Sequence, residues 1–120
     1  MTEQDRRSNL RVPFVAYAEI TEDGSAVSIA VRVSDLGNDG CYVDMRAPLP
    51  ERALVRIKVV TATDAFEAEA TVAYSDPHLG MGLVFRNVSP RDRMVLQKWL
   101  WEAEHERQTP SGRPSLPLRI

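Results

Sequence analysis

Cysteine occurs once in the 120 residues, at Cys41, and histidine only twice, at His78 and His105. A single thiol closes no disulfide, and three scattered Cys and His side chains lack the spacing of a zinc site, so the composition implies neither a disulfide scaffold nor a bound metal. His78 falls in a proline-containing turn and His105 near the end of a helical segment, with no nucleophile–base pattern around either. No catalytic residue is therefore assigned, and an enzyme is the least supported class. Long apolar runs are missing too. Nothing approaches the ~20 residues that span a bilayer, and Met1 to Leu10 is too polar for a secretory leader, so the expectation is a cytoplasmic protein without membrane insertion. Charge of one sign is also lacking: 15 Lys and Arg against 17 Asp and Glu give a net charge of −2, which provides no overall attraction to nucleic acid or anionic lipid. No period of 20 to 50 residues recurs, which sets aside repeat arrays.

What is present is an ordinary globular composition, 43% hydrophobic and 27% charged, in a length that suits one domain with one core. Two-residue alternation dominates. Val12, Phe14, Ala16, Ala18 and Ile20 share one face, a turn follows at Asp23-Gly24, and Val27, Ile29, Val31 and Val33 repeat the pattern. A polar connection from Ser34 to Gly40 leads into a short strand, Cys41 to Met45, ended by Ala47-Pro48-Leu49-Pro50. Val55, Ile57 and Val59, then Phe66, Ala68, Ala70 and Val72, form a second hairpin, and Met81, Leu83 and Phe85 a last strand after the turn at Asp76-Pro77-His78. At Ser89-Pro90-Arg91-Asp92 the period changes. Ser at the N-cap, Pro at the first helical position and an acid three residues after the Ser predict a helix from Pro90 to Arg107, with Val95, Leu96, Trp99, Leu100 and Ala103 as its buried stripe. The expected fold is mainly β: a six-stranded antiparallel barrel with a C-terminal helix packed on it. The expected organisation is a flexible Arg-rich arm over 1–11, the barrel and helix over 12–107, and a disordered Pro-rich tail over 108–120.

Single residues carry unequal weight. Cys41 stands at an alternating strand position and reads as a small buried apolar residue. Gly80-Met81-Gly82 lacks the lysine and following helix of a phosphate loop and is read as letting a strand start tightly or another backbone approach closely. The N-terminal arm is more informative: Arg6, Arg7 and Arg11 place three guanidinium groups within six residues, just before the first strand. Arginine makes bidentate contacts to phosphate and lies flat on bases, so this is a local anion site in a chain without a basic excess.

Two motifs and their surroundings make the resemblance specific. The RxxxR of Arg7 to Arg11, the DxxxxG of Asp35 to Gly40 between the second and third strands, the Gly82-Leu83-Val84-Phe85 of the last strand and the closing helix together resemble the PilZ domain family. The likeness covers about Asp5 to Arg107. It implies a barrel that binds the bacterial second messenger cyclic di-GMP, with Arg6, Arg7, Arg11, Asp35, Gly37, Asn38 and Gly40 as the ligand-binding residues and no further cofactor. By that resemblance Arg7 and Arg11 pair with phosphate or a guanine edge, Asp35 accepts from guanine N1–H and N2–H2, and Gly40 permits a turn and close approach to the ligand. Arg6 is similar to the residue that in some members favours a stacked ligand pair. Gly37 departs from the family pattern, which has Ser there. One missing hydrogen bond costs ~1 kcal/mol, a several-fold loss of affinity, with Ser34 and Asn38 as neighbours able to replace it.

The leading expectation is thus a single-domain receptor or adaptor that changes conformation on binding cyclic di-GMP and passes the signal to a protein partner, as a monomer or weak dimer. The alternative, kept open by Gly37, is a degenerate PilZ-like interaction module that binds no nucleotide. A single-stranded nucleic-acid barrel ranks last, because Phe14, Phe66 and Phe85 alternate as core residues do and the net charge is negative. On the helix, Trp101 is the better candidate for a partner contact.

Overall fold

The computed structural model describes residues 11–108, with side chains through His105. Six antiparallel strands, β1 (Arg11–Glu22), β2 (Ser28–Gly37), β3 (Gly40–Asp44), β4 (Leu54–Val60), β5 (Ala65–Asp76) and β6 (Gly80–Asn87), precede one helix, α1 (Pro90–Gln108). The strands close into a barrel in the order β1-β2-β3-β6-β5-β4, the expected architecture. Closure follows from alternation: Ala18, Ile20, Val31, Val33, Val43, Val55, Ile57, Val59, Phe66, Ala68, Ala70, Val72, Met81 and Leu83 point inward and are buried, while Arg56, Lys58 and Glu69 stay outside. Closure gives every strand a partner on both sides, though the start of β2 has β1 alone.

β2 differs from the sequence expectation at both ends. Val27 precedes the strand and is 68% exposed, and Ile29 is 37% exposed, because β3 pairs with β2 only from Arg32 onward and the start of β2 lies against β1 alone. At the other end the polar segment from Ser34 is strand rather than connection. β2 runs to Gly37, leaving only Asn38-Asp39 between it and β3, because Leu36 is buried and pairs with Val12 on one side and Cys41 on the other. β3 correspondingly ends at Asp44, one residue before Met45.

α1 closes one mouth of the barrel. Asp92 N–H donates to Ser89 Oγ at 3.1 Å, the Ser89 hydroxyl donates to the Asp92 carboxylate at 2.7 Å, and Arg93 N–H reaches the Ser89 carbonyl, so the cap forms as the sequence signals. Asp92 also accepts from Glu67 N–H at 3.0 Å, which fixes the helix start to β5. Leu96 and Trp99 are buried, with Trp99 against Phe14 and Phe66 at ring separations of 5.2 and 6.3 Å. Lys98 Nζ reaches Asp64 at 2.8 Å across the same seam.

Candidate functional site

The site is built by a register slip. Val31 and Val33 point inward, and strict alternation would send Asp35 after them into the core. Instead the pairing of β2 shifts between Val33 and Asp35, so Leu36 takes the inward position and the Asp35 carboxylate emerges on the outer surface. Arg11, the first residue of β1, pairs with Gly37 two residues further on, and its Nη1 donates to Asp35 Oδ1 at 2.9 Å. The side chains are 35% and 38% exposed, so the pair is held by the barrel yet open to solvent.

Gly40 completes this corner for a reason other than a turn. Its backbone is not in the left-handed region; a Cβ here would coincide with the Leu83 carbonyl of β6 and stand 3.3 Å from the Arg11 guanidinium. Glycine lets β3 and β6 approach and leaves room for Arg11 over the strand. Gly37 is buried beside it. Asn38 is occupied: its carbonyl accepts from Arg93 at 2.9 Å and its side-chain oxygen from Gln97 at 2.6 Å, both from α1. Asp39 is tied to the barrel through its carbonyl, which accepts from Phe85 N–H.

Of the expected site residues, Arg11, Asp35, Gly37, Asn38 and Gly40 are thus gathered at one corner of the barrel, whereas Arg6 and Arg7 lie outside the described residues, as do 1–10 and 109–120 as a whole. Arg93 and Gln97 are additions. Their spacing of four places them on one helix face, but no local signal shows that the face meets Asn38. Two tyrosines are further additions. The outward row from Asp35 passes through Tyr42 and Gly82 to Tyr74 in strand register, and the Tyr74 ring lies over Gly82, in the space a Cβ would take, 6.2 Å from Tyr42. The Tyr42 hydroxyl donates to Asp76 at 2.9 Å; burial first, then this bond, push its pKa up to about 12, so it stays a neutral donor. A carboxylate, a guanidinium and two phenol rings on one surface suit a flat, polar, anionic ligand.

Other chemistry finds less support. Cys41 is buried with its thiol pushed up to about 12 by desolvation, the reverse of an activated nucleophile. Phe66 is buried and Phe14 and Phe85 pack on the core, so these rings form no strand-binding platform. Among the described residues no His, Cys, Asp or Glu cluster could hold a metal ion, and no helix is long and apolar enough to cross a membrane. A cleft of about 330 Å³ opens at the far end of β1, between Glu22, Arg56, Glu69 and Arg86, away from Arg11 and Asp35. At the other end Arg11 meets Asp35 of the second motif on a part-exposed surface.

Comparison with known proteins agrees with the fold. The family model described as PilZ domain matches residues 5–101. Among solved structures, the chain resembles the PilZ domain of CeSA from a cellulose-synthesizing bacterium, with 17% identity and a TM-score of 0.65 over 81% of this chain and 100% of that one. It also resembles the PilZ domain of YcgR from Escherichia coli, a structure with c-di-GMP, at 18% identity and a TM-score of 0.69 over 86% and 95%. The Bacillus subtilis inhibitor of motility MotI/DgrA gives 15% identity and a TM-score of 0.66, over 85% of this chain and 52% of that one. No curated protein matches.

Proposed function

From the premise that the chain belongs to the PilZ domain family, we propose that it is a receptor for cyclic di-GMP that binds the dinucleotide on the Arg11–Asp35 corner and hands the change to a protein partner. The observation that carries this reading is the 2.9 Å pair itself: the second Arg of RxxxR and the Asp of the second motif, 24 residues apart, meet on one open surface. A half-exposed ion pair is worth only ~0–1 kcal/mol. It orients both groups while leaving each ready to exchange its partner for ligand. Asp35 presents two carboxylate oxygens to guanine N1–H and N2–H2, Arg11 presents a donor fork to phosphate or base, and Tyr42 and Tyr74 offer ring faces beside them. Arg6 and Arg7, which precede β1 in the sequence, would add guanidinium groups for phosphate or base. The absence of a Ser hydroxyl at Gly37 leaves the site one donor short; Gln97 engages the Asn38 side-chain oxygen, so the Asn38 amide N–H groups and the Ser34 hydroxyl are the neighbouring donors for that place. Because Asn38 is bonded to Arg93 and Gln97, ordering of the 35–40 segment by ligand acts directly on α1, which is the proposed route to the partner.

Calorimetric titration with cyclic di-GMP tests the proposal, with GMP as control. Binding with a Kd on the order of micromolar or tighter is expected, weakened roughly tenfold or more by Arg11→Ala and by Asp35→Ala, since each removes charged hydrogen bonds worth ~1.5–3 kcal/mol. Arg7→Ala should behave alike, and the stoichiometry shows whether one or two ligands bind. Absence of both heat and thermal shift at millimolar ligand rejects the receptor and leaves the nucleotide-independent module, which Gly37 favours.

A further inference from the structure

The helix that closes the barrel carries two large apolar side chains on its outer face as well as the buried stripe on its inner one. Met94 is 72% exposed and Trp101 60%, and their spacing of seven, two helical turns, sets them on one side, away from the buried Leu96 and Trp99. Trp101 is stacked on His105 at 3.6 Å, which fixes the ring and leaves its other face outward. Charge along this helix is polarised. Among the described side chains Arg91, Arg93 and Lys98 lie in the first half, and Glu102 and Glu104 in the second, while the one early acid, Asp92, is turned to Ser89 and β5 and Arg93 to the Asn38 carbonyl.

We propose that α1 is a self-association surface on which a second copy of this chain docks antiparallel about a two-fold axis. An axis between Gln97 and Lys98 sets Met94 of each copy against Trp101 of the other, a thioether–ring contact made twice because the interface is isologous. The same operation brings Arg91 of each copy alongside Glu102 of the other, and opposes the two helix dipoles, while Arg93 stays on the Asn38 carbonyl of its own chain. Parallel pairing would instead align like charges. Lys98, the charge nearest the axis, is drawn back onto the barrel by Asp64 at 2.8 Å, so it does not confront its own symmetry mate. Two helix faces of about three turns bury less than the ~1,200 Å² of a stable complex, so the dimer is weak, with Kd on the order of 0.1 mM.

Sedimentation velocity of the full chain between about 10 µM and about 1 mM, without nucleotide, brackets that constant and is independent of the ligand reading. The expected result is a concentration-dependent shift toward dimer that Trp101→Glu and Met94→Lys each abolish; both positions are exposed, and a circular dichroism spectrum confirms the fold. Arg91→Glu and Glu102→Arg, each weakened several-fold alone, should associate with one another about as well as the unaltered chain does with itself. A monomer throughout the range overturns the proposal and leaves the face to a different protein. So does a dimer indifferent to Trp101→Glu, and a mixture of the two charge variants that fails to recover overturns the antiparallel register.

Discussion

Gly40 illustrates how much one missing Cβ decides. Its position is filled by the Leu83 carbonyl and bordered by Arg11, so Gly40→Ala forces β3 and β6 apart at the corner where the ligand is proposed to sit. The expected loss is about 3 kcal/mol or more in a urea unfolding experiment; a loss under ~1 kcal/mol would mean that the strands yield cheaply. Cys41 makes the complementary case of a reactive group silenced by its surroundings. With the thiol pushed up to about 12, a thiol reagent at pH 8 should label the protein only at the rate of unfolding, and labelling as fast as in urea would contradict its burial. The stability tied to that raised pKa is full below the ordinary thiol value of 9.0 and is lost as pH rises toward about 12.

At the scale of elements, α1 is attached by a cap, a buried stripe and one ion pair. Ser89→Ala removes the acceptor for Asp92 N–H and should cost about 1 kcal/mol by chemical denaturation. Leu96→Ala, at a fully buried site between helix and barrel, should cost about 2–5 kcal/mol. The ion pair gives a pH signature. The hydrogen bond from Lys98, then that from Thr63, hold the Asp64 carboxyl below its ordinary value of 3.8, and the same bond raises Lys98 above 10.5. Asp64's contribution is therefore present above about pH 4 and disappears as pH falls through its lower folded value; that of Lys98 is present below about 10.5 and disappears above it. The difference in unfolding midpoint between the natural chain and Asp64→Asn should be largest at neutral pH and vanish in strong acid. A difference that is constant with pH would assign the effect to packing.

For the molecule as a whole, the continuity of one core predicts that barrel and helix unfold together. Phe14, Phe66 and Trp99 share contacts across β1, β5 and α1, so tryptophan fluorescence and far-ultraviolet dichroism should trace a single coincident transition. An earlier fluorescence transition would show the helix leaving first. The same coupling runs outward, since Arg93 and Gln97 join the helix to Asn38 within the proposed ligand site.

The sequence determined the number and order of the strands, the helix and its cap, though not the ends of β2, because alternation, a change of period at Ser89 and the Ser-Pro-x-Asp start are local patterns that local physics reads. It also marked Arg11, Asp35 and Gly40, as motif residues lying 24 and 5 apart. Only the tertiary structure decided that Asp35 faces outward, because that depends on a register slip set by Leu36 packing between Val12 and Cys41, contacts distant along the chain. It alone brought Tyr42 and Tyr74 to one surface, bound Asn38 to the helix, and gave Gly40 its reason in the Leu83 carbonyl rather than in a turn. Closure of a barrel joins residues that no spacing rule relates, and the site lies at such a join.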